Sequence, residues 1–146
     1  MKQEDKKSEQ RPREHYFLLV GAFIVIAGVV TLGWVIDPDP RGFGTHERLG
    51  LPECQSIKLF GFPCPGCGVT TSVSNFWHGN FQASFAGQPF GFLLAMFVPL
   101  GALGAIVSHF RGRDLYAYSV SVRWGRWFLA LGVAMLGAWI YKLLQP

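Results

Sequence analysis

Three stretches of this chain are too long and too apolar to be buried by 146 residues folding in water. Tyr16 to Ile36 is 21 residues without a charge. At about 1.5 Å per helical residue such a run covers roughly 30 Å, the thickness of a bilayer's hydrocarbon core. It ends in Trp34 and then Asp37-Pro38-Asp39-Pro40, where a residue before proline is pushed out of the helical region. The run is longer than the apolar part of a signal peptide and has no small-residue cleavage site, so it is expected to be a retained anchor. A second span is expected over 89–110, with Pro89 in the first helical turn, where its missing N–H costs nothing, and Pro99 kinking the interior. A third is expected over 127–144, with Lys142 reaching the interface near its end. The fold class expected is therefore an all-α integral membrane protein with about three transmembrane helices. Only 15% of the chain is charged and its mean hydropathy is +0.27, against about 25% charge in a soluble domain.

The remaining segments follow from these spans. Residues 1–15, polar and free of aliphatic side chains, are expected to form a disordered tail. Residues 37–88 are expected to form a cysteine-containing loop outside the membrane, with a short interfacial helix near 69–78, and residues 111–126 a basic loop. Small residues recur at Gly101 and Ala105, and at Ala130, Ala134 and Ala138, where they would let helices approach closely in lipid.

A net charge of +4 does not point to nucleic acid, because the cations flank the spans and no basic stripe with stacking aromatics lies outside them. Instead they report topology. Lys2, Lys6, Lys7, Arg11 and Arg13 precede the first span, and Arg111, Arg113, Arg123 and Arg126 separate the second from the third. These nine share one side, against Arg41, Arg48, Lys58 and Lys142 on the other. The positive-inside rule then places the N-terminus in the cytoplasm and the cysteines outside. The expected partners are the lipid bilayer and other membrane-protein subunits.

All three cysteines lie in the 37–88 segment: Cys54 alone, and Cys64 and Cys67 in the run Cys64-Pro65-Gly66-Cys67-Gly68. Three chemistries compete for them. A C-x2-C turn supplies two thiolate ligands to a tetrahedral zinc ion; Cys54 would be a third, and His46, or alternatively His78, the fourth. The same pair has the spacing of a reactive dithiol, with Cys64 and Cys67 exchanging disulfides and Cys54 resolving, although no βαβ pattern surrounds it. Lastly, two of three thiols outside the cytoplasm would pair as a structural disulfide and leave one over, or all would simply pack. His78, in Trp77-His78-Gly79-Asn80, reads first as an interfacial polar residue. His15 and His109 are assigned no role. No H-E-x-x-H, G-x-S-x-G or P-loop is present. No span carries the central carboxylate of an ion path.

The run C-P-G-C-G-V-T at 64–70, followed by His78-Gly79-Asn80 and Gln88-Pro89-Phe90, resembles a bacterial domain family of unknown function. Its members are small membrane proteins with a C-P-x-C-G-x-T-R-type signature. The resemblance covers roughly residues 45–110 and takes in Cys54, the stretch 57–61 and the loop from Gly44-Thr45-His46 to Leu51-Pro52. It implies a bacterial inner (cytoplasmic) membrane and a cysteine-containing loop, and no activity. This chain departs from the signature at Thr71, where the family often has arginine; any role of that arginine would fall to Arg48 or Lys58. The function expected is binding, scaffolding or assembly around a loop closed by zinc or a disulfide, and the alternative is a membrane thiol–disulfide oxidoreductase.

Overall fold

The computed structural model describes residues 13–144, and all regular structure in that range is helical. In chain order the helices are α1 (Arg13–Val35), α2 (Gln55–Phe60), α3 (Val69–Trp77), α4 (Phe81–Gly87), α5 (Pro89–Phe110), α6 (Leu115–Ser121) and α7 (Trp124–Leu143), with a 3-10 turn at Thr45–Leu49 before α2. Three of them, α1, α5 and α7, are long and apolar enough to cross a membrane. The chain thus has the three apolar helices of a multi-pass membrane protein.

Residues 1–12 of the expected tail lie outside the described residues. The last three residues of that tail are not tail at all, since α1 begins at Arg13. Glu14 in its first turn complements the helix dipole, and His15 is fully buried. The span assigned to 16–36 therefore starts three residues earlier and stops at Val35. The basic segment 111–126 is not a plain loop either. Asp114 caps α6 by accepting a hydrogen bond from the Tyr116 N–H at 2.9 Å, and α7 starts at Trp124.

The burial pattern is that of a protein in lipid. Its fully buried side chains are small or polar: Ala95, Thr45, Thr71, Ser72, Ser74, Ser84 and Gln88. Large apolar side chains face outward, with Phe17 75% and Phe110 83% exposed. With hydrocarbon outside, apolar side chains gain nothing by turning inward, and close packing and hydrogen bonding hold the helices instead. The packing face of α5 is Gly91, Ala95 and Ala102 rather than Gly101 and Ala105. A Cβ at Gly91 would stand 2.7 Å from Ser72 Cβ and 2.8 Å from the Val69 carbonyl oxygen, so α3 meets α5 where only glycine fits. On α7 only Ala138 of the alanine stripe is buried. Helix α5 runs continuously through Pro99.

Hydroxyl groups join these elements. Ser72 Oγ donates to the Ser84 carbonyl at 2.7 Å, and Ser84 Oγ returns a bond to the Ser72 carbonyl at 2.7 Å, which ties α3 to α4. Ser74 Oγ donates to the Ile36 carbonyl just past α1. Thr45 Oγ1 accepts from the Asp39 N–H at 2.9 Å and donates to Thr71 Oγ1 at 2.8 Å. Thr71, at the position where arginine was expected by resemblance, is thus a buried link between the 3-10 turn and α3.

Side-chain contacts define two ends. At one, His15 Nδ1 accepts from the Leu115 N–H at 3.0 Å, so the ring proton is on Nε2, which donates to His109 Nδ1 at 2.9 Å. The start of α1, the end of α5 and the start of α6 therefore meet there. At the other, the last turns of α7 reach the cysteine segment, so the polar segment 37–88 and the end of α7 share a face.

Candidate thiol site

The Cys64–Cys67 turn is held by its carbonyl groups. Cys67 N–H closes it on the Cys64 carbonyl at 2.9 Å. Trp139 Nε1 donates to the Pro63 carbonyl at 2.7 Å, Gln88 Nε2 to the Pro65 carbonyl at 3.0 Å, and Lys142 Nζ to the Cys67 carbonyl at 3.1 Å and the Gly42 carbonyl at 3.3 Å. Alternate residues of the segment thus present acceptors, and Gln88, the N-cap of α5, and two residues of α7 supply the donors. The lysine expected to reach for the interface instead turns inward onto the turn. Gly68 follows in the left-handed region at φ 88°, where a side chain is disfavoured. A Cβ there would also lie 2.7 Å from the Gly42 carbonyl oxygen and press on the Lys142 ammonium. Gly68 is the N-cap of α3, so the second cysteine ends one rigid turn and opens the next helix.

Cys54 reaches the same place from the other direction. It is the N-cap of α2, a position whose free backbone N–H groups favour an acceptor. All three cysteines are free thiols. Their environments differ. Burial pushes Cys54 up, but the nearby N–H groups of Ile57, Cys64 and Ser56 and the Cys64 thiol favour its thiolate and outweigh burial, bringing it down to about 7. Cys64 is pushed up, by burial first and then by its interaction with Cys54. Cys67 is pushed up to about 12, by burial first and then by the neighbouring Cys54, against the opposing charge of Lys142. Near neutral pH, then, one thiolate (Cys54) is stabilised by backbone N–H groups, one thiol (Cys64) stands in contact with it, and a second thiol (Cys67) is buried behind.

Cys54 is half-buried and opens on a small cleft of about 140 Å³, walled by Arg41, Phe43, Glu47, Ile57 and Lys58. That wall is built by charge. Arg41 bonds Asp39 Oδ2 at 2.9 Å and Glu47 Oε2 at 2.8 Å. The Arg41 side chain and N–H hold the Asp39 carboxyl down to about 2, and the two carboxylates push Arg41 upward.

Of the residues singled out from sequence, Cys54, Cys64 and Cys67 come together. His46 lies half-buried in the 3-10 turn. His78 caps α3, its Nδ1 donating to the Ser74 carbonyl at 2.9 Å and its Nε2 standing 3.7 Å from Asp37 Oδ1. Among the described residues no group of three or more histidine, cysteine, aspartate or glutamate side chains is placed to hold a metal ion. The sequence reading missed Gln88, Trp139 and Lys142, whose contacts with the turn lie 23, 76 and 75 residues away along the chain. Only the polar head of Lys142 in an apolar run hinted at one of them.

No curated protein matches the chain, and no solved structure matches it. Residues 54–102, about a third of the chain, match a family described as "Protein of unknown function (DUF2752)". The matched stretch opens on Cys54, takes in Cys64 and Cys67, and ends at Ala102 on the buried face of α5.

Proposed function

We propose that this protein is a membrane-anchored thiol–disulfide exchange centre, in which Cys54 attacks and Cys64 resolves. One observation carries the reading: Cys54 and Cys64 are in side-chain contact, and their environments push them in opposite directions. A thiolate is the attacking form of cysteine, and a pKa near ambient pH gives the best balance between thiolate fraction and nucleophilicity. The reaction is written with a disulfide-bonded partner. The Cys54 thiolate attacks one partner sulfur, forming a mixed disulfide and expelling the other sulfur as thiolate. Cys64, giving up its proton to that thiolate, attacks Cys54 Sγ and expels the partner's second sulfur. A partner disulfide and two protein thiols become a partner dithiol and a Cys54–Cys64 disulfide; the reverse direction oxidises a partner dithiol. Cys67 takes no part, because it is buried at 3% exposure and burial pushes its thiol up to about 12, so Cys64, half-buried beside Cys54, is the thiol that resolves. This replaces the expected pairing of Cys64 with Cys67.

The distribution of cations supports a cytoplasmic N-terminus and a cysteine face outside, where disulfides persist. The contact of Cys54 with both other thiols also supports a zinc knuckle as the second reading, in which the loop binds or scaffolds membrane partners.

The test is to incubate the detergent-purified, reduced protein with oxidised glutathione and count glutathione thiol released, alongside zinc content. The expected result is two thiols per chain from the wild type and Cys67→Ser, one from Cys64→Ser, which stops at the mixed disulfide, and none from Cys54→Ser. One zinc per chain with no thiol release would contradict exchange and favour the knuckle.

A further inference from the structure

The other end of the molecule carries a feature that the thiol chemistry does not use. A groove of about 460 Å³ runs between α5 and α6. One wall is Gly101, Gly104, Ala105 and Ser108, a single face of α5 with almost no side-chain bulk. Leu115 and Tyr118 of α6 line it as well, and so does Arg113, in the turn that follows the end of α5. No atom outside the local helix lies within 4 Å of where a Cβ would be at Gly101 or Gly104. The small residues here leave space and do not bring helices together.

Charge sets the character of its mouth. Arg113 lines the groove, Arg111, Arg123 and Arg126 follow in the same stretch of chain from the end of α5 to the first turn of α7, and none of the four is ion-paired among the described residues. The nearby carboxylate, Asp114, is engaged in capping α6 and stands 3.5 Å from His15 Nδ1. An apolar slot with an unpaired guanidinium in its lining, in a helix long enough to span a bilayer, has the two-part chemistry of a phospholipid. From Gly101 to Ser108 the wall is about 10 Å long at 1.5 Å per residue, room for the upper part of one acyl chain.

We propose that this groove binds one anionic phospholipid, its phosphate on Arg113 and an acyl chain along Gly101, Gly104 and Ala105. The basic side of a membrane protein faces the leaflet whose surface is most negative, so the site and its ligand are on the same side.

The experiment is native mass spectrometry of the full chain released from nanodiscs of equimolar phosphatidylglycerol and phosphatidylcholine. The wild type should retain one phosphatidylglycerol in preference to phosphatidylcholine. Arg113→Gln should lower that preference about fivefold, the worth of one arginine near an anionic surface. Gly104→Leu, which fills open space rather than a contact, should abolish retention while leaving the fold intact. Arg48→Gln, on the opposite face, should change nothing. Equal loss from Arg123→Gln and Arg113→Gln would show a diffuse surface charge and overturn the site. Displacement of the lipid by millimolar inorganic phosphate would make it a free-anion site and also overturn the proposal, as would a dimer that Gly104→Leu takes apart.

Discussion

At the residue scale the three cysteines differ in how deeply each is buried and in what lies beside each sulfur. Cys54 owes its lowered value to backbone N–H groups at the start of α2 and to Cys64, working against burial. Alkylation of the native protein should therefore rise with pH about a midpoint near 7, and the alkylated residue should be Cys54. Cys64→Ala removes one donor and leaves the backbone, so the midpoint should move upward; an unchanged midpoint would mean that the two thiols do not interact. That three cysteines belong to one site was legible in the sequence from their confinement to a single polar segment. Which two pair was not. The spacing of Cys64 and Cys67 draws attention to them, but it says nothing of how deeply the second is buried. Cys54 is brought in by the fold between the 3-10 turn and α2, which no local spacing reports.

At the element scale, α5 acts as the structure's axis, touching α1, α3, α4, α6 and α7. Its start was readable because proline in the first turn is a strong boundary. Helices α2, α4 and α6 were not, because the usual sign of a short helix is an apolar stripe facing a core. Here the polar side is the buried side: Ser84 of α4 is buried while Phe81 and Phe85 are exposed. Gly91→Ala should lower the unfolding midpoint in detergent, since overpacking of this kind costs about 1–3 kcal/mol where α3 crosses α5. Gly104→Ala, which meets nothing, should be neutral or slightly stabilising. The clamp on the cysteine turn gives a second check. Lys142→Met removes a charged donor from two carbonyl groups, each such bond worth about 1.5–3 kcal/mol. Cys67 should then become accessible to a maleimide that does not reach it in the wild type. Continued protection would show that burial, and not the lysine, holds the turn.

For the whole molecule, two polar ends sit either side of an apolar belt formed by α1, α5 and α7. The cysteine face gathers the 37–88 segment and the end of α7; the opposite face gathers His15, His109, Asp114 and Arg113. In the sequence His15 reads as part of a tail, because it lies one residue before the uncharged run. Its burial depends on His109, 94 residues on, and so was invisible locally. A membrane-impermeant maleimide added to intact cells should label Cys54, while a reporter at the N-terminus should remain inside. Labelling of Cys54 only after the membrane is opened would reverse the orientation.

Exchange through Cys54 requires that the first disulfide to form join Cys54 and Cys64. The reduced, purified protein is oxidised with limiting diamide, free thiols are alkylated under denaturing conditions, and the disulfide is located by peptide mass spectrometry. Early in the reaction the linked peptides should be those of Cys54 and Cys64, with Cys67 recovered as a single alkylated residue. A first disulfide between Cys64 and Cys67 would contradict it, as would three unreacted thiols beside one bound zinc.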